Sequence, residues 1–192
     1  MMPPDIFVAE YDPVTSTLIS LDAHWQDAAK LSLPVQLAGW ILEPASLTAR
    51  LKQHCQQFRV QLLNERAERL PAFLQPVLAG TVEAQLREVI LWCDDKPCVY
   101  AQSWLPQHTI NTLTPLAELG ERPLGDYIFQ QPGLIRGSIN AAIFELSGSA
   151  LTAFGAKGLS YARRSVFQLN GLPLLVAEVF LPAITQLQDK GE

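Results

Sequence analysis

The sequence predicts an α+β domain: a single six-stranded antiparallel sheet with helices gathered on one side. Three observations point to it. From Phe58 onward, apolar and polar residues alternate in runs of strand length. Neighbouring runs are separated by turn segments short enough for hairpins rather than crossovers. Helix starts, marked by capping residues and prolines, fall only in the first half and the middle of the chain. Strands joined mostly by hairpins make an antiparallel sheet, which buries one face against another layer.

The first 30 residues are mixed and carry no strong period. Pro34 to Leu42 is expected to be helical, with proline at the first position, where a missing N–H is harmless. Glu43-Pro44-Ala45-Ser46 interrupts it, and a second helix follows from Leu47 to Gln57 with Ser46 as its N-cap. This pair is a helix-turn-helix in geometry only, because Arg50, Lys52 and Arg59 are too few cations for DNA. Phe58 to Asn64 and Thr81 to Cys93 read as strands. The turn Asp94-Asp95-Lys96-Pro97 then sends the chain back through Cys98 to Leu105. Thr114-Pro115 opens a short helix that Gly120 closes, with Thr114 as its cap. Pro123 to Phe129 makes a further helical turn. Arg136 to Glu145 reads as strand, weakened by Gly137. Ser147 to Gly158 is a loop that lacks the spacing of a phosphate or dinucleotide site. Ser160 to Leu169 and Leu172 to Leu181 are strands joined by Asn170-Gly171, which suits the two left-handed positions of a tight hairpin turn.

A chain of 192 residues is sized for one domain, 1–192, with a core large enough to need no staples. Its 48% hydrophobic and 17% charged residues exclude a disordered chain. The net charge of −5, with no basic run longer than Arg163-Arg164, excludes a nucleic-acid partner. An anionic small molecule would need local positive charge to bind. Met1 to Glu10 lacks the basic start and apolar stretch of a leader, and the longest apolar run, Leu172 to Ile184, contains Glu178. A soluble, cytoplasmic protein without membrane insertion is expected. Cys93 and Cys98 flank the hairpin turn, so a disulfide between them is conceivable, although reduced thiols are the ordinary cytoplasmic state. His24, His54 and His108 share no ligand spacing with Cys55, Cys93 or Cys98, and no metal site is expected.

Glu178 is the most informative residue, because both faces of its strand are apolar. An ionised carboxylate there is costly unless it faces a ligand cavity or meets a buried arginine. Arg87 is the foremost cation. It shares a strand face with Val89 and Leu91, either pairing with a neighbouring carboxylate or gripping a ligand carboxylate with its planar fork. For Arg136, Arg163 and Arg164 a solvated strand face is the default. Trp25, Trp40, Trp92 and Trp104 read as core, and no nucleophilic triad is evident.

Four segments then carry a resemblance: Leu86-Arg-Glu-Val-Ile-Leu91, Leu119-Gly-Glu-Arg-Pro-Leu-Gly-Asp-Tyr-Ile-Phe129, Ala162-Arg-Arg-Ser165 and Gly171-Leu-Pro-Leu-Leu-Val-Ala-Glu-Val-Phe-Leu-Pro182. In this order, over Trp40 to Pro182, the chain resembles the chorismate pyruvate-lyase family. The resemblance implies a six-stranded sheet with helical flaps closing over an internal ligand site. It implies substrate and product contacts at Leu47, Arg87, Leu124 and Glu178, with Arg87 and Glu178 catalytic. Leu47 stands where the family's well-known form has methionine, which is harmless for a backbone contact. The implied reaction converts chorismate to 4-hydroxybenzoate and pyruvate, without cofactor or metal, in a monomer that supplies quinone (ubiquinone-type) biosynthesis. Two other readings share the fold: an effector-sensing domain of a transcription regulator, and a lyase-like protein that only retains the product. Against the former, the residues before the first helix are too few and insufficiently basic to bind DNA.

Overall fold

The computed structural model describes residues 17–187 and the backbone of residues 6–8. The reading of Met1 to Glu10, apart from those three residues, lies outside the described residues, as do the two ends of the expected 1–192 domain.

Among the described residues nine strands form one sheet: β1 (Ile6–Val8), β2 (Gln26–Asp27), β3 (Phe58–Arg69), β4 (Glu83–Cys93), β5 (Lys96–Pro106), β6 (Leu134–Arg136), β7 (Asn140–Glu145), β8 (Leu159–Leu169) and β9 (Leu172–Phe180). Among the described residues four α-helices accompany them, α1 (Val35–Ile41), α2 (Leu47–His54), α3 (Gln107–Thr112) and α4 (Leu124–Ile128), besides four short 3-10 turns. The strand order is β1-β7-β8-β9-β5-β4-β3, with β2 beside β7 and β6 beside β8. Two hairpin-built meanders, β3-β4-β5 and β7-β8-β9, thus meet where β9 pairs with β5. Every pair is antiparallel except β1 with β7.

The α+β class and the single, mainly antiparallel sheet hold, but the count of six strands is corrected. The three additional strands, β1, β2 and β6, are 3, 2 and 3 residues long. Segments so short show no period. The stretch from Arg136 to Glu145, expected as one strand, divides at Gly137 into β6 and β7. The Gly137 N–H donates to the Val166 carbonyl at 2.8 Å, and a Cβ at Gly137 would stand 2.9 Å from that oxygen. Only glycine permits that approach. β3 runs on to Arg69, with an irregularity between Leu62 and Asn64 that shifts its register against β4.

Helix ends follow their chemistry. Ser46 caps α2, its hydroxyl accepting from the Ala49 amide at 3.2 Å. The helix stops at His54 rather than Gln57 because the Asp94 carboxylate accepts from the Gln56 and Gln57 amides at 3.0 and 2.9 Å, drawing the chain toward β3. Pro34 is the N-cap of α1 rather than its first residue, so the helix starts at Val35, one residue later than expected. Thr114 to Glu118 forms a 3-10 turn capped by Leu113, not by Thr114. At the hairpin between β8 and β9, Asn170 (φ 53°) and Gly171 (φ 78°) take the expected left-handed conformation.

Both faces of the sheet are covered. On one, Val60, Val89, Leu91, Ala101 and Phe180 pack against Trp40, Ile41, Leu47 and Leu51 of α1 and α2. On the other, Leu86, Trp104, Leu175 and Ala177 pack beneath Leu21, Leu70, Leu74 and Leu78. That second layer is irregular chain and turns, not helix. No helix among the described residues is long and apolar enough to cross a membrane.

Candidate active site

The strand register lays the site across the central strands in two neighbouring rows. One row runs Glu65, Arg87, Ser103, Val176 and Ser165 over β3, β4, β5, β9 and β8. The next runs Leu62, Val89, Ala101, Glu178 and Arg163 over the same strands. Arg87 and Glu178 therefore point to the same face, separated by β5 and so by two strand spacings, about 10 Å. Between them β5 contributes only Ala101 and Ser103. Small residues there leave room above the sheet.

That room is a pocket of about 560 Å³, counting its open mouth. Sites for small organic molecules span roughly 300–1,000 Å³. Arg87, Glu178, Leu47 and Leu124 all line it, as do Arg136, Arg163, Ser103 and Thr48. The sequence-predicted residues are thus brought together in one cavity.

Its electrostatics depend on three guanidinium groups. Arg87, 2% exposed, donates through Nη1 to Glu65 Oε1 at 2.8 Å and through Nη2 to the Arg122 carbonyl at 2.9 Å. Burial lowers its pKa, and the charge of Glu65 offsets part of that. Arg163, equally buried, donates through Nε to Glu178 Oε2 at 2.5 Å. Its Nη1 donates to the carbonyls of Trp40, Ile41 and Glu43, so it also seats the C-terminal end of α1. Arg136 donates through Nε to Ser165 Oγ and through Nη1 to the carbonyls of Glu43, Pro44 and Ala45.

These placements correct several expectations. Glu178 both faces the pocket and meets a buried arginine, and that arginine is Arg163, not Arg87. Arg163 and Arg136 are not on a solvated face. Arg164 stacks over the Trp25 ring on the opposite side of the sheet, 4.6 Å from its centroid. The partner of Glu178 was countable from sequence: stepping back from the two-residue Asn170-Gly171 turn, the seventh opposed pair is Arg163 with Glu178.

Two helix starts face the pocket from above. The first-turn amides of Leu47 and Thr48 in α2, and of Leu124 and Gly125 in α4, have no acceptor among the described residues. Such amides carry partial positive charge and favour anions. Gly125 lets the two starts meet, since a Cβ there would stand 3.0 Å from Thr48 Oγ1. At the surface, Lys52 of α2 pairs with Asp126 of α4 at 2.5 Å.

A second polar cluster lies on the far side of the sheet, where sequence periodicity gave no sign of it. Glu88 is fully buried without a cationic partner among the described residues, accepting from Tyr100 Oη at 2.6 Å, Asn64 Nδ2 at 2.7 Å and the Leu18 amide at 2.8 Å. Gln102 donates to Tyr100 Oη and to the Ile19 carbonyl, which stitches residues 18–19 to the sheet. The three cysteines are buried and form no disulfide, with Cys55 and Cys93 both donating to the Leu51 carbonyl. Among the described residues no group of three or more His, Cys, Asp or Glu side chains is placed to hold a metal ion.

Residues 19–190 match the family model described as chorismate lyase. The chain is 44% identical over 170 residues to a probable chorismate pyruvate-lyase of Pseudoalteromonas translucida, covering 85% of this chain and 94% of that protein. It is 35% identical over 159 residues to the chorismate pyruvate-lyase of Pectobacterium atrosepticum, covering 78% and 79%. Among solved structures, the effector domain of PhnF from Mycobacterium smegmatis superposes with a TM-score of 0.55 at 15% identity, covering 72% of this chain and 89% of that one. At that identity the likeness is one of fold.

Proposed function

The chain belongs to the chorismate lyase family, and from that premise we propose that its pocket holds chorismate and splits it into 4-hydroxybenzoate and pyruvate. The observation that carries the reading is the placement of Arg87 and Glu178 at two ends of one cavity, about two strand spacings apart. A cation at one end and a carboxylate at the other suit a ring bearing a carboxylate and, across from it, a hydroxyl. Arg87 takes the ring carboxylate, helped by the open amides of Leu47 and Leu124. Glu178 accepts from the ring hydroxyl, held in place by Arg163.

The reaction needs no oxidant or reductant. The ring carbon bearing the hydroxyl loses its proton, and the electron pair closes the third ring double bond. The ring–oxygen bond of the enolpyruvyl ether breaks, and the departing enolate takes up a proton to become pyruvate. Aromatisation drives the step, so the protein's task is to hold a dianion in a reactive conformation and exclude water. The helical cover, α1 with α2 on one side and α4 on the other, acts as the flaps. We propose that the chain works as a cytoplasmic monomer, one domain without cofactor, and that its product supplies ubiquinone-type quinones.

Incubation with chorismate tests the reading: pyruvate released over many turnovers supports it. Binding without release would favour the effector-sensing or product-retaining alternative.

A further inference from the structure

We infer that Arg136 is a substrate-specific anchor, taking the carboxylate of the enolpyruvyl group, the part of chorismate that leaves as pyruvate. The inference rests on the reading of the pocket as a chorismate site.

Charge complementarity singles out this residue. Of the three guanidinium groups lining the pocket, Arg87 has Glu65 and Arg163 has Glu178, while Arg136 makes no ion pair among the described residues. Its partners are uncharged: Ser165 Oγ at 3.0 Å, the carbonyls of Glu43, Pro44 and Ala45 at 3.0, 3.1 and 3.4 Å, and the Phe167 ring, 5.1 Å from its Cζ. Those contacts use Nε and Nη1. The Nη2 hydrogens have no acceptor among the described residues. The guanidinium is therefore held by two of its three nitrogens while the other terminal nitrogen remains for a ligand, and the fork geometry suits a carboxylate.

The position fits the substrate's connectivity. Arg136 pairs with Phe167 at the β6–β8 edge, on the far side of Glu178 from Arg87. In chorismate the ether leaves from the ring carbon next to the hydroxyl-bearing one. With the ring carboxylate on Arg87 and the hydroxyl on Glu178, the side-chain carboxylate falls beside Glu178, where Arg136 and Arg163 are neighbours. Arg163 is already neutralised. Burial and the nearby charge of Arg163 push the Arg136 pKa down to about 10, partly offset by Glu178 and Glu43, so it stays charged at neutral pH. A bound carboxylate relieves that crowding of like charges. The product keeps only the ring carboxylate and gives Arg136 nothing to hold, so the anchor discriminates substrate from product.

The experiment compares the parent with Arg136→Gln and Arg136→Lys, measuring kcat/KM for chorismate and calorimetric Kd for 4-hydroxybenzoate on the same preparations. The expected result for Arg136→Gln is a loss of about thirtyfold or more in kcat/KM, the scale for truncating one partner of a buried charge pair. Product Kd should change by less than about threefold, and lysine should recover part of the loss. Parallel losses for substrate and product would mean that Arg136 only staples the Glu43–Ala45 segment, and no loss would also overturn the inference. A parent that releases no pyruvate removes the chorismate reading itself, and the anchor with it. A measurement on the parent alone covers the case of an unfolded variant. The aromatic analogue 3-(1-carboxyvinyloxy)-4-hydroxybenzoate should bind at least about tenfold more tightly than its side-chain methyl ester, as expected for a desolvated charge pair. Equal binding of the two would overturn the anchor.

Discussion

Arg163 Nε donates to Glu178 Oε2 at 2.5 Å, across directly opposed positions of β8 and β9. The same guanidinium donates through Nη1 to the carbonyls of Trp40, Ile41 and Glu43 at 3.1, 3.2 and 2.8 Å. One side chain thus joins the carboxylate of the site to the helix end that covers it. The orientation of Glu178 and the seating of α1 are coupled.

Glu178→Gln keeps the volume and one acceptor but removes the charge opposite Arg163. The ligand-free variant is expected to lose about 3 kcal/mol, the low end for a broken buried pair, because the amide oxygen still accepts from Nε. Turnover falls as well. Combining it with Arg163→Met restores neutrality and recovers part of the stability but not the turnover. Melting curves after removal of bound product, which would otherwise stabilise the parent by mass action, check the first claim. A pyruvate assay checks the second.

Arg87→Ala is expected to weaken 4-hydroxybenzoate binding by about 2–5 kcal/mol, and lysine to restore only part, since a point charge does not reproduce the fork. Unchanged product affinity by calorimetry would place the ring carboxylate elsewhere, with Arg136 the next cation.

Tyr100 is fully buried, and burial together with the charge of Glu88 raises its pKa well above the ordinary phenol value. The folded protein then holds this proton more tightly than the unfolded chain. The stabilisation is complete below about pH 10 and is lost as pH climbs from there toward the folded value. Tyr100→Phe should lower stability at neutral pH by about 1.5–3 kcal/mol, the scale for a hydrogen bond to a charged group. It should also flatten the alkaline decline. Denaturant unfolding between neutral and alkaline pH reads both effects.

The Lys52–Asp126 pair links α2 to α4, but its side chains are 44% and 32% exposed. Exposed pairs contribute about 0.2–1 kcal/mol, so Asp126→Asn should speed product release by no more than about fivefold. High salt should mimic it in the parent. Stopped-flow release of 4-hydroxybenzoate measures the change.

The sequence made the hairpins legible wherever a turn dipeptide interrupts alternation, as at Asn170-Gly171. Glu178 stood out because a carboxylate in an apolar strand demands a partner. Arg163 did not, since its own strand gives no hint of depth; only the register across the turn does. Glu88 was hidden for a related reason: β4 is buried on both faces, so alternation cannot say which polar residue faces a cavity and which a closed network. In the layer formed by Leu21, Leu70, Leu74 and Leu78, the three later leucines recur at every fourth residue, a helical spacing, yet the chain there closes into turns rather than a helix, so periodicity alone does not give its conformation. The division at Gly137 depends on the carbonyl of Val166, a contact between residues distant in sequence.

The most direct test of the lyase assignment is a single-turnover reaction with protein in excess over chorismate, in the presence of a chelator. Excess protein removes the influence of slow product release. The expected result is one 4-hydroxybenzoate and one pyruvate for each chorismate consumed, at a rate the chelator leaves unchanged. Chorismate bound but recovered intact, or conversion that depends strictly on added metal, would contradict the account.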